Sequence, residues 1–396
     1  MNTNEFRADR SYSERLPKVP HGYYLSDRNT MDIRVDEPAA SAVRTIFKLY
    51  IGGWGYKKIA EYMNELDLPA PGTANSDSLC KKAGRSTKWS ISSIESILKM
   101  DFYVGTLRGT AGYAREQAGP VIADHHEPIV DYRTFMLVKS LLQKRSELHY
   151  RGQKKYEHLY SGFLFCGDCG APMFAVSRRD LAPAYTCGTY HRCGTRGCSA
   201  HHTRTDRLNR LFMNSLRHEW EQSQSGVERT RAFLTASEDR IRAADTAVEN
   251  LLDKRNTAKR ELKRLMLQNI RSEQEQDPGA GDAIRETIDS LTQAAAARVS
   301  QLGKQLNQNY AQRNAWIRIR RAAQTTLDVF EAAVQKRAPS REDLGLLLDR
   351  ILVFENRIEI RLKPDVEAFL SGVVGPETRL QDLTFSGKPQ EAALYA

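Results

Sequence analysis

The chain has 396 residues, 40% hydrophobic and 27% charged, a length that suits two or three domains rather than one core. No run approaches the ~18 apolar residues of a membrane span, and the polar stretch Met1–Arg15 lacks the apolar centre of a secretory signal. Membrane and secreted classes are therefore excluded, and a cytoplasmic, nucleoid-associated protein is expected. The formal charge of +10 is uneven: residues 1–210 carry 31 basic and 22 acidic side chains, residues 211–396 carry 28 and 27. A basic first half beside a near-neutral second half is the footprint of a polyanion binder with a separate partner-binding element. A generic basic protein would have the same total.

Glu37-Pro38 opens a helix, since proline is tolerated in a first turn. Ala42, Val43, Ile46, Phe47 and Tyr50 then recur at three- and four-residue spacing until Gly52-Gly53 stops it. A second helix is predicted over Tyr56 to Glu65, with Ile59, Ala60 and Met63 inward. After a polar loop from Pro69 to about Thr87, Trp89-Ser90 introduces a third, whose apolar stripe is Ile91, Ile94, Ile97 and Leu98. This order reads as an elaborated helix-turn-helix whose last helix would enter a major groove. Ser90, Ser92, Ser93 and Ser96 lie largely off the apolar stripe, beside Lys88 and Lys99. Small hydroxyl side chains there can contact phosphates or base edges; the competing reading is a solvated face with a serine N-cap.

Residues 143–158 form a basic connector with Lys144, Arg145, Arg151, Lys154 and Lys155. Such links commonly track phosphates or a minor groove, although a charge run is more often only solvated surface. All six cysteines lie in the first half, and Cys166, Cys169, Cys187, Cys193 and Cys198 cluster within 33 residues. Without a secretion signal, that clustering points to a metal rather than to disulfides. Cys166-Gly167-Asp168-Cys169 is a knuckle that offers two thiolates to one ion. Four thiolates select zinc in a closed, structural site. The distal pair is open, because Cys187 and Cys193 compete to partner Cys198; His191, His201 and His202 could substitute, but histidines in a basic segment more often contact phosphate or support the ligands from behind. Arg178, Arg179, Arg192, Arg196 and Arg204 surround the ribbon and suggest that it also touches nucleic acid.

Beyond Leu208 the pattern is mostly helical. Ile241, Ala244, Val248, Leu251, Ala258, Leu262 and Leu265 follow a heptad seam that Arg255 interrupts at an a position. Asp277-Pro278-Gly279-Ala280-Gly281 breaks it, and Ile288, Leu291, Ala295, Val299, Leu302 and Leu306 resume the spacing. The two arms should fold back as an antiparallel coiled coil with its tip near Gly279. Leu344, Leu347 and Leu348 suggest a short helix ending near Arg350, followed by strands at Ile351–Phe354 and Ile358–Leu362 that return to the ribbon. The tail after Ser371 is expected to be poorly ordered.

Several stretches resemble the large serine recombinases. In the recombinase domain these are Pro20-His21-Gly22-Tyr23, Ala42 to Tyr50, Lys58-Ile59-Ala60, Trp89-Ser90 with Ile97-Leu98, and Phe102 to Thr106. The segment from His126-Glu127-Pro128-Ile129-Val130 to Phe135 is similar to its closing motif. Tyr185-Thr186-Cys187 and Cys198-Ser199-Ala200-His201 are similar to the family's zinc β-ribbon. The resemblance spans about residues 17–370, and it assigns Cys166, Cys169, Cys187 and Cys198 as zinc ligands and leaves Cys193 as an extra. It implies an α+β, mainly helical fold: a helix-turn-helix-like recombinase domain, a zinc β-ribbon and a long antiparallel coiled-coil hairpin. The expected division is an N-terminal linker (1–16), recombinase domain (17–142), basic linker (143–158), ribbon (159–235), coiled coil (236–336), return to the ribbon (337–370) and tail (371–396).

The family's catalytic domain, with its nucleophilic serine, precedes the Pro-x-Gly-Tyr motif, whereas 19 residues precede Pro20 here. No catalytic residue is therefore assigned, and the chain alone is not expected to cut DNA. The resemblance implies double-stranded attachment-site DNA as one partner and other recombinase subunits, through the coiled coil, as another; a separate catalytic domain would be a third. The alternative is a non-catalytic regulator of a related recombinase or of transcription.

Overall fold

The computed structural model describes residues 19–27, 32–71, 88–108, 120–147, 158–178, 181–274, 281–375 and 377–378. At 27, 144–147, 177–178, 181–182, 271–274 and 281–285 only the backbone is described. Cys80, the connector residues Arg151, Lys154 and Lys155, and Arg179 lie outside these residues.

The N-terminal body begins with an antiparallel hairpin, β1 (Tyr23–Asp27) and β2 (Asp32–Val35). Helices α1 (Glu37–Ile51), α2 (Tyr56–Glu65) and α3 (Ile91–Lys99) follow at the predicted positions. A 3-10 turn at Asp101–Val104 leads to a second hairpin, β3 (Leu107–Arg108) with β4 (Val121–Ile122), and then to α4 (Tyr132–Glu147). The helices close over Val43, Ile46, Phe47, Ile94 and Val138. Ile91, expected on the apolar stripe, is instead 50% exposed, because the first residue of α3 overhangs the edge of that core.

Polar side chains fix the loops of this body. Trp89 is buried, its indole N–H donates to the Leu68 carbonyl at 2.9 Å, and Asn64 bonds both its backbone N–H (2.8 Å) and carbonyl (3.0 Å). These bonds anchor the start of α3 against the end of α2. The Tyr23 hydroxyl donates to the Glu127 carbonyl and accepts from the Ile129 amide. Gly22 has φ +97°, and a Cβ there would lie 2.8 Å from Ile129. The Gly-Tyr pair and the closing motif are thus two halves of one contact.

Helix α4 continues through Glu147, so the connector expected from residue 143 starts as helix. Next come β5 (Leu164–Cys166), β6 (Met173–Arg178), β7 (Leu181–Cys187), α5 (Gly188–Cys193), β8 (His202–Arg204) and α6 (Thr205–Gln222). Strands β6, β7 and β8 form one antiparallel sheet. Helices α7 (Gln224–Gln274) and α8 (Gly281–Val334) run antiparallel, as Glu238 meets Arg320 and Asn269 meets Asp289. Helix α9 (Arg341–Leu347), β9 (Leu348–Val353), β10 (Ile358–Leu362) and α10 (Pro364–Leu370) complete the fold. The predicted helix therefore ends at Leu347, not near Arg350. Its N-terminus is a capping box between Ser340 and Asp343.

Strand β9 pairs parallel with β5, in the register Leu164↔Ile351 and Cys166↔Val353. The coiled coil is thus inserted between two strands of one sheet. Its seam buries Val248, Ala258 and Leu306, and Arg255 lies within it at 5% exposure. Leu291, expected on the seam, is 50% exposed, whereas the adjacent Thr292 is half-buried. The tail also departs from expectation: Val374 is fully buried beside Phe233 and Ile319, and the Thr378 carbonyl accepts from Arg240 at 2.5 Å. Among the described residues, no helix is long and apolar enough to cross a membrane.

Candidate metal centre and nucleic-acid interface

The cysteines are carried by backbone that turns tightly around them. Strand β5 delivers buried Cys166, whose N–H donates to the Ala171 carbonyl and whose carbonyl accepts from Gly170. That loop folds Cys169 back toward the end of β7, where Cys187 sits. Cys198 enters from the turn after α5. The four sulfurs lie within 4.8 Å of one another, with Cys166–Cys198 at 3.7 Å and Cys169–Cys187 at 3.5 Å. Tetrahedral thiolates about 2.3 Å from a zinc ion stand ~3.8 Å apart, so the donor set fits a metal of that size. Cys193 is exposed and outside the cluster.

Without a cation these thiols cannot all ionise together. Burial, then the three other thiols, pushes Cys198 up to about 12. Burial also raises Cys166. At Cys169 burial opposes ionisation, but bonds to the Thr189 hydroxyl, the Ala171 amide and the neighbouring thiols outweigh it and lower this group to about 6. A bound divalent ion would stabilise the thiolate form of all four.

The sequence raised His201, as a ligand or as a support behind the ligands, but did not single out Asp168. His201 is buried, its Nδ1 lies 3.4 Å from the Cys166 sulfur, and its Nε2 is 2.8 Å from the Asp168 carboxylate. Asp168 stands inside the Cys-x-x-Cys knuckle and His201 three residues after Cys198, and that spacing was the available signal. Such outer partners orient ligands and tune their basicity.

The candidate DNA-contacting residues fall in several places. Ser90 caps α3: its hydroxyl accepts from the Ser93 amide at 3.1 Å and bonds the Ser92 and Ser93 hydroxyls. Ser92, Ser96 and Lys88 are exposed and Ser93 is half-buried. Arg192, Arg196 and Arg204 are exposed on the ribbon, where Arg192 donates to the Gly188 carbonyl at 3.3 Å. Lys144 and Arg145 lie on the last turns of α4, and Arg178 ends β6, all with side chains outside the described residues.

A polar seam joins the N-terminal body to the coil. Asn314 on α8 accepts from the Ala123 amide at 3.0 Å and donates to the Val121 carbonyl at 2.5 Å, so its amide pairs with β4 as another peptide would. Arg313 is 3% exposed; it pairs with Asp245 of α7 and donates to the Ala123 carbonyl at 2.7 Å. Arg321 meets Asp124. Ile122 packs against Val248, Leu306 and Tyr310. On the other side of α4, Lys363 reaches the Gly345 carbonyl at 2.6 Å and Ser140 at 3.3 Å.

Residues 37–145 match the sequence profile described as Recombinase, and residues 159–217 match that of the recombinase zinc beta ribbon domain. The uncharacterized protein YefB of Bacillus subtilis (strain 168) is 28% identical over 142 residues, which make up 33% of this chain and 45% of YefB. The match thus spans less than half of that relative. A solved LSR–DNA complex aligns over 86% of this chain and 91% of its own, at 13% identity and a TM-score of 0.37. Residues 37–145 and 159–217 thus carry, in that order, a recombinase-type domain and a recombinase-type zinc beta ribbon domain.

Proposed function

We propose that the chain is the sequence-specific, double-stranded-DNA-binding portion of a site-specific serine recombinase, acting at attachment sites of a mobile genetic element during DNA integration. The observation that carries this reading is the pairing of two recombinase-type domains in one chain, the first with an exposed hydroxyl stripe on α3 and the second with exposed ribbon arginines. Phosphate contacts would position both, and base-edge contacts from Ser92, Ser96 and the ribbon would specify sequence. Lys88, Ser90, Ser93, Lys144, Arg145, Arg151, Lys154, Lys155, Arg178 and Arg179 complete the proposed surface.

Zn2+ is the proposed metal, held by Cys166, Cys169, Cys187 and Cys198. Its role is structural, since four thiolates leave no open position for a substrate. Asp168 and His201 would hold the ligand side chains in place. The proposed coiled coil, residues 236–336, would contact other recombinase subunits, and the catalytic domain would be supplied with this region or separately.

Footprinting on DNA that flanks the encoding element tests the reading. The protected duplex should bind at least ~1,000-fold more tightly than its scrambled counterpart at physiological salt. Equal affinity would leave only phosphate attraction and would refute sequence-specific recognition.

A further inference from the structure

Between the C-terminal half of α3 and α4 lies an open groove of about 740 Å³. Its lining is apolar at Leu98, Phe135 and Leu142, and carries the cations Lys99, Arg108 and Lys139 with one carboxylate, Asp101. Two of these cations already have anions: Lys99 pairs with Glu95 at 2.6 Å, and Arg108 with Asp101 at 2.5 Å. Lys139 is half-buried and forms no ion pair with a described residue. Burial holds its ammonium below the ordinary lysine value; Asp101 opposes that shift, and Arg318 and Arg108 add to it. Asp101 is itself paired with Arg108, and a partly desolvated cation with no direct ion pair costs stability until an anion joins it.

The position of the groove indicates which anion. Ser92, Ser96 and Lys99 recur at four- and three-residue spacing, so the polar stripe of α3 runs straight into it. We infer that this groove receives one backbone phosphate of double-helical DNA, met by the Lys139 ammonium, with the adjoining sugar against the apolar part of its lining. The inference rests on the reading of α3 as a DNA-contacting helix, and it assigns a phosphate contact that the composition of α3 alone does not reveal.

Lys139→Met keeps the aliphatic stem and removes the charge. Binding of a mixed-sequence 30-bp duplex to the full chain, from about 50 to about 200 mM salt, should show a log–log salt slope shallower by about 0.9. Affinity should fall about fivefold near 150 mM salt, by the same factor on any duplex. The melting temperature should hold or rise, because an unpaired cation has been removed, and Lys139→Arg should restore the slope. In the unsubstituted chain, the same duplex should protect Lys139 from acetylation, read by mass spectrometry. A wild-type slope in Lys139→Met overturns the inference, as does a loss of binding that follows a lowered melting temperature, or equal acetylation with and without duplex. Failure of the unsubstituted chain to bind any duplex is a separate result, and it removes the DNA-binding reading itself.

Discussion

The recombinase domain and the outer part of the coiled coil are both helical, but their helices are held in different ways. The domain encloses Phe47, Tyr50, Tyr103 and Trp89 at 4% exposure or less, and hydrogen bonds from Asn64 and Tyr23 secure its loops. In the coil, no described side chain between residues 259 and 300 is fully buried, and Met266, Leu267, Ile270 and Leu291 are about half exposed. Most helical stability in proteins comes from packing an apolar face. The domain therefore has a firm shape of its own, whereas the arm is firm at its base, around Val248, Leu306 and Tyr310, and weakly held farther out. The proposed role of the arm in subunit contacts draws on those uncovered apolar side chains.

Removing the metal should separate the two styles of stabilisation most sharply. Cys166→Ser is expected to abolish metal retention and unfold the ribbon, since structural zinc supplies about 10–16 kcal/mol of apparent folding free energy. The recombinase domain should stay folded, as metal analysis with hydrogen exchange would show. Cys193→Ser should retain its metal, and release there would reverse the ligand assignment. Phe47→Ala should cost about 3–5 kcal/mol in urea denaturation, because its ring is buried against Tyr103 and Phe135.

Asn314→Ala, which strips the bonds to Val121 of β4 and to Ala123 just after it, should cost about 1–3 kcal/mol. Faster hydrogen exchange at β3 and β4 with unchanged coil helicity would identify the loss as local to the seam. Acid should weaken the same region. Burial, reinforced by Arg313, holds His125 at about 4, and burial outweighs the Phe102 carbonyl in holding His126 there too. Both imidazoles are neutral in the fold but titrate near 6.5 when unfolded. Stability is then complete above pH 6.5 and declines as pH falls toward 4. Thermal midpoints across that window should drop, and His126→Gln should flatten the decline. The smallest effect is expected from Leu262→Ala on the outer arm, about 1 kcal/mol, measured by the loss of coil helicity on heating.

Periodicity located α1, α2 and α3 because each buries a clear stripe and ends at Gly52, Leu66 or Met100. The clustered cysteines were plain in the sequence, but spacing alone left Cys187 and Cys193 tied. The hairpins β1–β2 and β3–β4 were illegible, since strands of two to five residues carry too little alternation. The parallel pairing of β5 with β9 depends on residues far apart in sequence, and no local pattern encodes it. Helix α4 extends into the stretch expected to be a linker because charged residues such as Lys144 and Arg145 are good helix formers. Lys139 was hidden for a different reason: only the packed helices show that it is half-buried and paired with no carboxylate among the described residues.

The parallel pairing of β5 with β9 also constrains synthesis. The first knuckle cysteines leave the ribosome long before Ile351 and Val353, the residues that hydrogen-bond beside them. Two helices of 51 and 54 residues must be translated in between. The recombinase domain can condense early, whereas the ribbon sheet has an open edge until the chain is nearly finished. Pausing translation within α8 would thus leave nascent protein with a formed first domain and an incompletely bordered metal-binding sheet.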